Sequence, residues 1–384
     1  MMARLGDICD VRDGTHDSPP YVAEGYPLVT SKNIVDGKLD MSDISYISLE
    51  DYNKINERSK VSTGDIIMPM IGTIGNPYII EEFTDFAIKN VALIKFPNDI
   101  VYNKYIFHFL NSEKFKKYIV ENNRGGTQKF LSLKDIRNIQ LNLPSLAEQM
   151  DVVEKLDKVC DLISIRNKQL SKLDELVKSR FIEMFGSIHS NKFNYDIVTL
   201  QDVSEPIKDG THQTPTYTED TVNGFKFLSS KDVTTGAIDW SHLKYITEDL
   251  HQELYSRLAP RKGDILLAKN GTTGIAAVVD RDEIFDIYVS LALIRPLGIN
   301  STYLWAAINS AETKQQFDAS LKGIGVPNLH LGEIKKARII LPPMELQVQF
   351  ASFVKQTDKS KFEIQQSLEK LETLKKALMQ KYFG

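Results

Sequence analysis

The sequence predicts an α/β (α+β) protein: two similar mixed α/β globular domains, joined and separated by two long helices that form an antiparallel coiled coil with pseudo-twofold symmetry. Two observations carry this reading. The 384-residue chain says nearly the same thing twice, at an offset close to 198 residues. Each copy then ends in a stretch whose seam residues recur alternately every four and three positions, the spacing of a coiled coil. A repeat this long means two whole domains, because solenoid repeats run only ~20–50 residues.

Asp13-Gly14-Thr15-His16-x-x-Pro19-x-Tyr21 returns as Asp209-Gly210-Thr211-His212-x-x-Pro215-x-Tyr217. Thr30-Ser31-Lys32 returns as Ser229-Ser230-Lys231, and Gly64-Asp65-Ile66 as Gly263-Asp264-Ile265. Gly72-Thr73-x-Gly75 returns as Gly271-Thr272-x-Gly274, and Leu143-Pro144 as Leu341-Pro342. The offset drifts only between 196 and 199, which means a few loop insertions within one duplicated unit. The domains are expected at 1–144 and 187–342, with long helices at 145–186 and 343–384.

Within each domain, short β-rich runs such as Asp65–Met68 and Val91–Ile94 are bounded by Gly, Pro and Asn. A helix-like stretch follows at Tyr102–Leu110, with its counterpart at Thr302–Ile308. The first seam runs Val152, Leu156, Val159, Ile163, Arg166, Leu170, Leu173, Val177, Arg180, Met184; the second runs Phe350, Val354, Thr357, Lys361, Ile364, Leu368, Leu371, Lys375, Leu378, Tyr382. Prolines stand at the N-terminal edge of each, where a missing N–H costs least. Cations in the seam either lay long stems along a partly open groove or fix register against acidic groups. Each helix should be ~60 Å long. The domain between them should have a radius of gyration near ~15 Å, too compact to return the second helix to the start of the first. The pair is therefore expected to be antiparallel, and its pseudo-twofold matches duplex DNA, whose half-sites lie on opposite strands.

Composition fits an ordinary globular protein, with 42% hydrophobic and 26% charged residues. No apolar run approaches the ~18 residues of a membrane span, and the N-terminus has no apolar signal core, so the expectation is a cytoplasmic protein with no membrane partner. Cys9 and Cys160 fall at non-equivalent places and read as free thiols. The net charge of −4 speaks mildly against a free-standing nucleic-acid binder but leaves room for local basic surfaces.

No phosphate-binding loop, H-E-x-x-H or C-x-x-C is present, and no methyl-donor or nuclease motif is complete. The chain is not expected to be an enzyme, nor to hold a metal or cofactor. The shared loops are the candidates for binding. Thr15, His16, Thr211 and His212 lie in the Asp-Gly-Thr-His repeats, which suit either a structural turn or a polar reading loop; one Asp and one His per domain make a poor metal site. Lys32 and Lys231 recur at equivalent positions. Thr73, with Asn270 and Thr272, sits on a Gly-rich loop after a strand, suited to a plain hairpin or to phosphate contact. Arg124, Thr127, Gln128 and Lys129, and in the second copy Lys322 and Asn328, lie on Gly-rich, donor-bearing loops. Such side chains neutralise phosphates or pair with base edges.

The ordered set resembles the specificity subunits of type I restriction-modification systems. It comprises Leu5-Gly6-Asp7-Ile8, Gly64-Asp65-Ile66, Gly72-Thr73-x-Gly75, Gly126-x(4)-Leu131-x-Leu133-x-x-Ile136 and Leu143-Pro144-x-Leu146-x-Glu148-Gln149. The second copy keeps Gly325-x(3)-Leu329-x-Leu331-x-x-Ile334 and Leu341-Pro342-Pro343-Met344-Glu345-Leu346-Gln347, with the Glu-Gln pair split. The resemblance covers the whole chain. It implies two target recognition domains reading a bipartite double-stranded DNA target. It also implies a helical spacer that holds two methyltransferase subunits and, through the complex, restriction and translocase subunits. A two-headed coiled-coil adaptor for protein or glycan, and a stand-alone DNA-binding regulator, are the alternatives. Salt-dependent DNA binding and co-purification with a methyltransferase separate them.

Overall fold

Two four-stranded sheets form the body of each copy of the repeat, in the same strand order. The computed structural model describes residues 1–35, 37–72, 74–82, 85–122, 130–321 and 328–384. It comprises two units, Met1–Asn167 with Gln365–Gly384, and Lys168–Ile364.

In the first unit one sheet runs Asp10–Asp13, Val91–Lys95, Ile66–Pro69, Tyr78–Ile79, all antiparallel. The other runs Ala87–Ile88, Tyr26–Val29, Ser45–Ile47, Tyr21–Val22, with only the first pair parallel. Residues 66–69 and 91–94 are apolar throughout because both faces of these strands are covered. Alternate side chains point to opposite faces. Ile66, Met68, Ala92 and Ile94 join Tyr105 and Phe109 of helix Asn103–Leu110, while Ile67, Val91 and Leu93 join Val29, Phe86 and Ile88. The second unit repeats the scheme: Ile265, Leu267, Ala292 and Ile294 face Tyr303 and Leu304 of helix Ser301–Ile308, and Leu266, Ala268, Leu291 and Leu293 face Leu228, Phe285 and Ile287. The β-rich runs and both short helices thus stand where the patterning places them.

The long helices are Leu146–Phe185 and Met344–Phe383, 40 residues each. Every seam residue named above is buried or half-buried. In the first unit Val152 and Leu156, early in one helix, share a core with Met379 and Phe383, late in the other. In the second unit Phe350 and Val354 share a core with Val177 and Phe185. Within each unit the start of one helix therefore lies beside the end of the other, an antiparallel pairing. The terminal phenylalanines anchor it: Phe383 lies 5.1 Å from the Tyr105 ring, and Phe185 lies 4.8 Å from Tyr303.

Of the seam cations, Lys361 and Arg180 have partners within the chain. The Lys361 ammonium sits 2.6 Å from the Asp174 carboxylate, and the Arg180 guanidinium lies 5.9 Å from the centre of the Phe353 ring. A buried glutamine fastens each long helix to its sheet domain. Gln149 accepts from the Tyr102 N–H at 2.8 Å and donates to the carbonyls of Ile100 and Pro144. Gln347 accepts from the Asn300 N–H at 2.9 Å and donates to the Pro342 carbonyl. The glutamine of the Glu-Gln motif, the half that keeps its position in the second copy, is thus a bracket for otherwise orphaned backbone groups. The first unit adds a charged clasp, in which Lys104 and His108 meet Asp157 at 2.8 and 2.7 Å. Cys9 is buried, Cys160 half-buried, and both are free.

Candidate nucleic-acid interface

The Asp-Gly-Thr-His turns form because a backbone crosses them closely. A Cβ on Gly14 would lie 2.1 Å from the Ile88 carbonyl oxygen, and one on Gly210 would lie 2.0 Å from that of Ile287. Only glycine permits this approach. The following threonine then bridges: Thr15 donates its N–H to Ile88 and accepts from Asn90, and Thr211 donates to Ile287 and accepts from Val289. The hydroxyls of Thr15 and Thr211 each accept a backbone N–H two residues on, at 3.1 Å. Both hydroxyls therefore hold the turn.

The same crossing segment gathers the other repeated loops. Lys89 donates its N–H to Val29, just before Thr30-Ser31-Lys32, and Tyr288 donates to Leu228, just before Ser229-Ser230-Lys231. The carbonyl of Asn90 accepts from Met70 and that of Ser290 from Lys269, at the entrance to the Gly-Thr-x-Gly loops. Met70 and Lys269 in turn accept from Leu131 and Leu329, which follow the donor-bearing loops. In each unit, motifs scattered over more than a hundred residues of chain thus converge through backbone hydrogen bonds on one short segment.

Lys32 and Lys231 are exposed on single 3-10 turns, Ser31–Asn33 and Ser230–Asp232, each closed by a capping box. Neither has an ion-pair partner among the described residues. The Gly-Thr-x-Gly loops connect antiparallel hairpins, 66–69 with 78–79 and 265–268 with 276–278. Their last glycines face a helix: a Cβ on Gly75 would lie 2.4 Å from Ile119, and one on Gly274 3.1 Å from Phe317. In the second loop the N–H groups of Thr273 and Gly274 are taken by the protein, whereas Thr272 is exposed and Asn270 half-exposed. Asn328 bridges Asn270 across the loop base. Thr73, Arg124, Thr127, Gln128, Lys129 and Lys322 lie outside the described residues.

His16 and His212 are both exposed but differently held. His16 bonds Asn90 Oδ1 at 2.9 Å through Nδ1 and Asp13 Oδ2 at 3.0 Å through Nε2. The hydrogen bond to Asn90, opposed by partial burial and aided by the bond to Asp13, pushes His16 above its ordinary pKa. His212 lies 3.3 Å from Asp209, whose main partner is the buried Lys269 at 2.7 Å. Burial alone would raise the Asp209 carboxyl, but the bond to Lys269 and its charge outweigh this and hold it below the usual range. In the first unit the corresponding aspartate, Asp13, is met by Arg58.

Sequence reasoning missed Arg58 and Arg257, Lys269 and Asn90, and it named Gln149 and Gln347 as motif residues without their bracketing role. Arg58 and Arg257 stand 199 residues apart and both bond their aspartate residue, Asp13 by its carboxylate and Asp209 by its carbonyl. The repeat offset was a signal that could have found them. Lys269 has Met70 as its counterpart, so the repeat offers no such signal.

The family described as "Type I restriction modification DNA specificity domain" matches residues 1–175 and again 193–376. The chain belongs to this family. It is a type I specificity subunit carrying two target recognition domains. It is 26% identical over 302 residues to the type I restriction enzyme MjaVIII specificity subunit of Methanocaldococcus jannaschii, covering 73% of this chain and 69% of that protein. It is 20% identical over 395 residues to the EcoKI specificity subunit of Escherichia coli strain K12, covering 94% and 83%. The solved S subunit of a type I system from M. genitalium has the same fold, with a TM-score of 0.60 at 12% identity over 100% of this chain and 96% of that one. No helix among the described residues is long and apolar enough to cross a membrane.

Proposed function

We propose that this subunit reads a bipartite DNA target, one half-site per domain (1–144 and 187–342), while the helices at 145–186 and 343–384 set the spacing and hold two methyltransferase subunits. Restriction and translocase subunits join through the complex. The chain itself is non-catalytic and works in the cytoplasm. The observation that carries this reading is the convergence of the same repeated loops on one crossing segment in both units. Of the nominated residues, Lys32, Lys231, His16, His212, Thr272, Asn270 and Asn328 surround that segment or the loops tied to it. Lys32 and Lys231, together with Arg124, Lys129 and Lys322, neutralise phosphates; Thr15 and Thr211 support from within, and Thr73, Thr127 and Gln128 contact the DNA.

The test is genome-wide methylation mapping with and without the subunit. The expected motif is split, with half-site centres about one helical turn, ~34 Å, apart or somewhat more. A continuous motif would contradict the reading. In the assembled complex, Lys32→Ala or Lys231→Ala should weaken all sequences alike and flatten the salt slope by about one unit. An unchanged affinity and slope in both variants would remove them from the interface.

A further inference from the structure

The crossing segment is where the two units share a framework yet differ in chemistry. In the first unit the chain passes from Ile88 to Val91 through Lys89 and Asn90. In the second it passes from Ile287 to Leu291 through Tyr288, Val289 and Ser290, one residue more. The shorter connection places Asn90 at φ +55°, a left-handed conformation that asparagine tolerates better than most side chains. The longer one needs no such residue: neither Val289 nor Ser290 has positive φ.

We propose that this segment, Lys89–Asn90 in the first domain and Tyr288–Ser290 in the second, is the specificity-determining element that makes the two half-sites different. The inference rests on the reading of the chain as a two-domain DNA reader. Its logic is geometric. Residues that hold the shared turn through its backbone are alike in both copies, as Gly14 and Gly210 are. A residue that distinguishes two half-sites must sit on a shared framework, reach solvent, and differ in chemistry. Lys89, Asn90, Tyr288 and Val289 are all half-exposed, and they stand at the meeting point of the Asp-Gly-Thr-His, Ser-Lys, Gly-Thr-x-Gly and donor-bearing loops.

The side chains specify what each would read. The Asn90 Oδ1 is engaged by His16, so its amide presents N–H donors. Lys89 gives one bond to the Ser18 hydroxyl at 2.5 Å and keeps further donors. A pair that offers only donors fits guanine, whose major-groove edge carries two acceptors, N7 and O6. In the second domain Val289 has no polar group, and Tyr288 leans its ring on Phe227, with centroids 6.1 Å apart. The apolar Val289 side chain there fits the thymine C5-methyl.

The experiment is methylation mapping of the assembled complex carrying Asn90→Gly, which keeps the left-handed backbone, and Lys89→Met, separately and together. The wild-type motif should hold a guanine in one half-site where the other holds thymine. Both variants should relax that guanine alone, raising methylation at non-guanine sites roughly 10-fold relative to guanine sites. The other half-site is the internal control and should stay unchanged. A motif unchanged in both halves overturns the proposal. So does loss of methylation at all sites alike in both variants, because a scaffold residue alters how many sites are modified and a reading residue alters which. A wild-type complex with no split motif would instead defeat the underlying reading.

Discussion

The first and second domains build the same turn on opposite electrostatic plans. In the first, Asp13 is held from the outside by Arg58, whose side chain is 65% exposed, and by the exposed His16. In the second, Asp209 is held from within by Lys269, whose side chain is 8% exposed. The backbone bonds around the two aspartates are otherwise equivalent. The comparison teaches that the fold requires a charge-matched aspartate at this place but leaves the source of the cation open. A domain that takes its cation from the interior frees its surface, whereas one that takes it from the surface commits that surface to the pair.

The largest expected effect tests this contrast directly. Lys269→Met removes the buried partner of the mostly buried Asp209 carboxylate, leaving only the exposed His212 beside it, and should cost about 3 kcal/mol. Arg58→Met removes an exposed partner and leaves the buried Asp13 its 3.0 Å bond to His16, so it should cost less, about 1 kcal/mol. Hydrogen-exchange protection of strands 265–268 and 66–69 measures each, and equal losses in both domains would erase the distinction. The bracket glutamines should behave alike in both copies. Gln149→Leu and Gln347→Leu each strand buried backbone groups, at a cost of about 2 kcal/mol. A loss in one copy only would mean that the long helix docks differently in the two.

Gly14→Ala and Gly210→Ala should also match each other, at roughly 1–3 kcal/mol, because each forces a methyl into a backbone carbonyl. If the variants retain full protection at 88–90 and 287–290, the close approach is not what holds the turn.

The smallest effect is in pH, and its sign differs between the domains. His16 has a raised pKa, so its contribution is fully present below the ordinary value of 6.5 and is lost as pH rises through the raised one. Asp209 has a lowered pKa, so its contribution is present above the ordinary carboxylate value and is lost only as pH falls through the depressed one. Mildly alkaline solution should therefore loosen the 13–16 turn while leaving 209–212 unchanged, as read by histidine ring resonances and amide exchange. Loosening of both turns together would show that the Asn90 bond is not the cause.

The sequence by itself determined the duplication, the α/β character of both domains, the two 40-residue helices and their seams. These follow from local periodicity, which a chain carries wherever it folds. It also marked the Asp-Gly-Thr-His, Ser-Lys and Gly-Thr-x-Gly loops as shared, but not what their residues do. Tertiary structure alone decided that Thr15 and Thr211 cap their own turns, that Gly75 and Gly274 make room for a helix, and that Asn90, a residue in no shared motif, completes the hold on His16. Asn90 lies 74 residues from His16, and Lys269 lies 60 from Asp209. Such pairs are created by strands returning to the same sheet end. Side-chain periodicity records which face a residue takes, but it carries no record of which distant residue will meet it there.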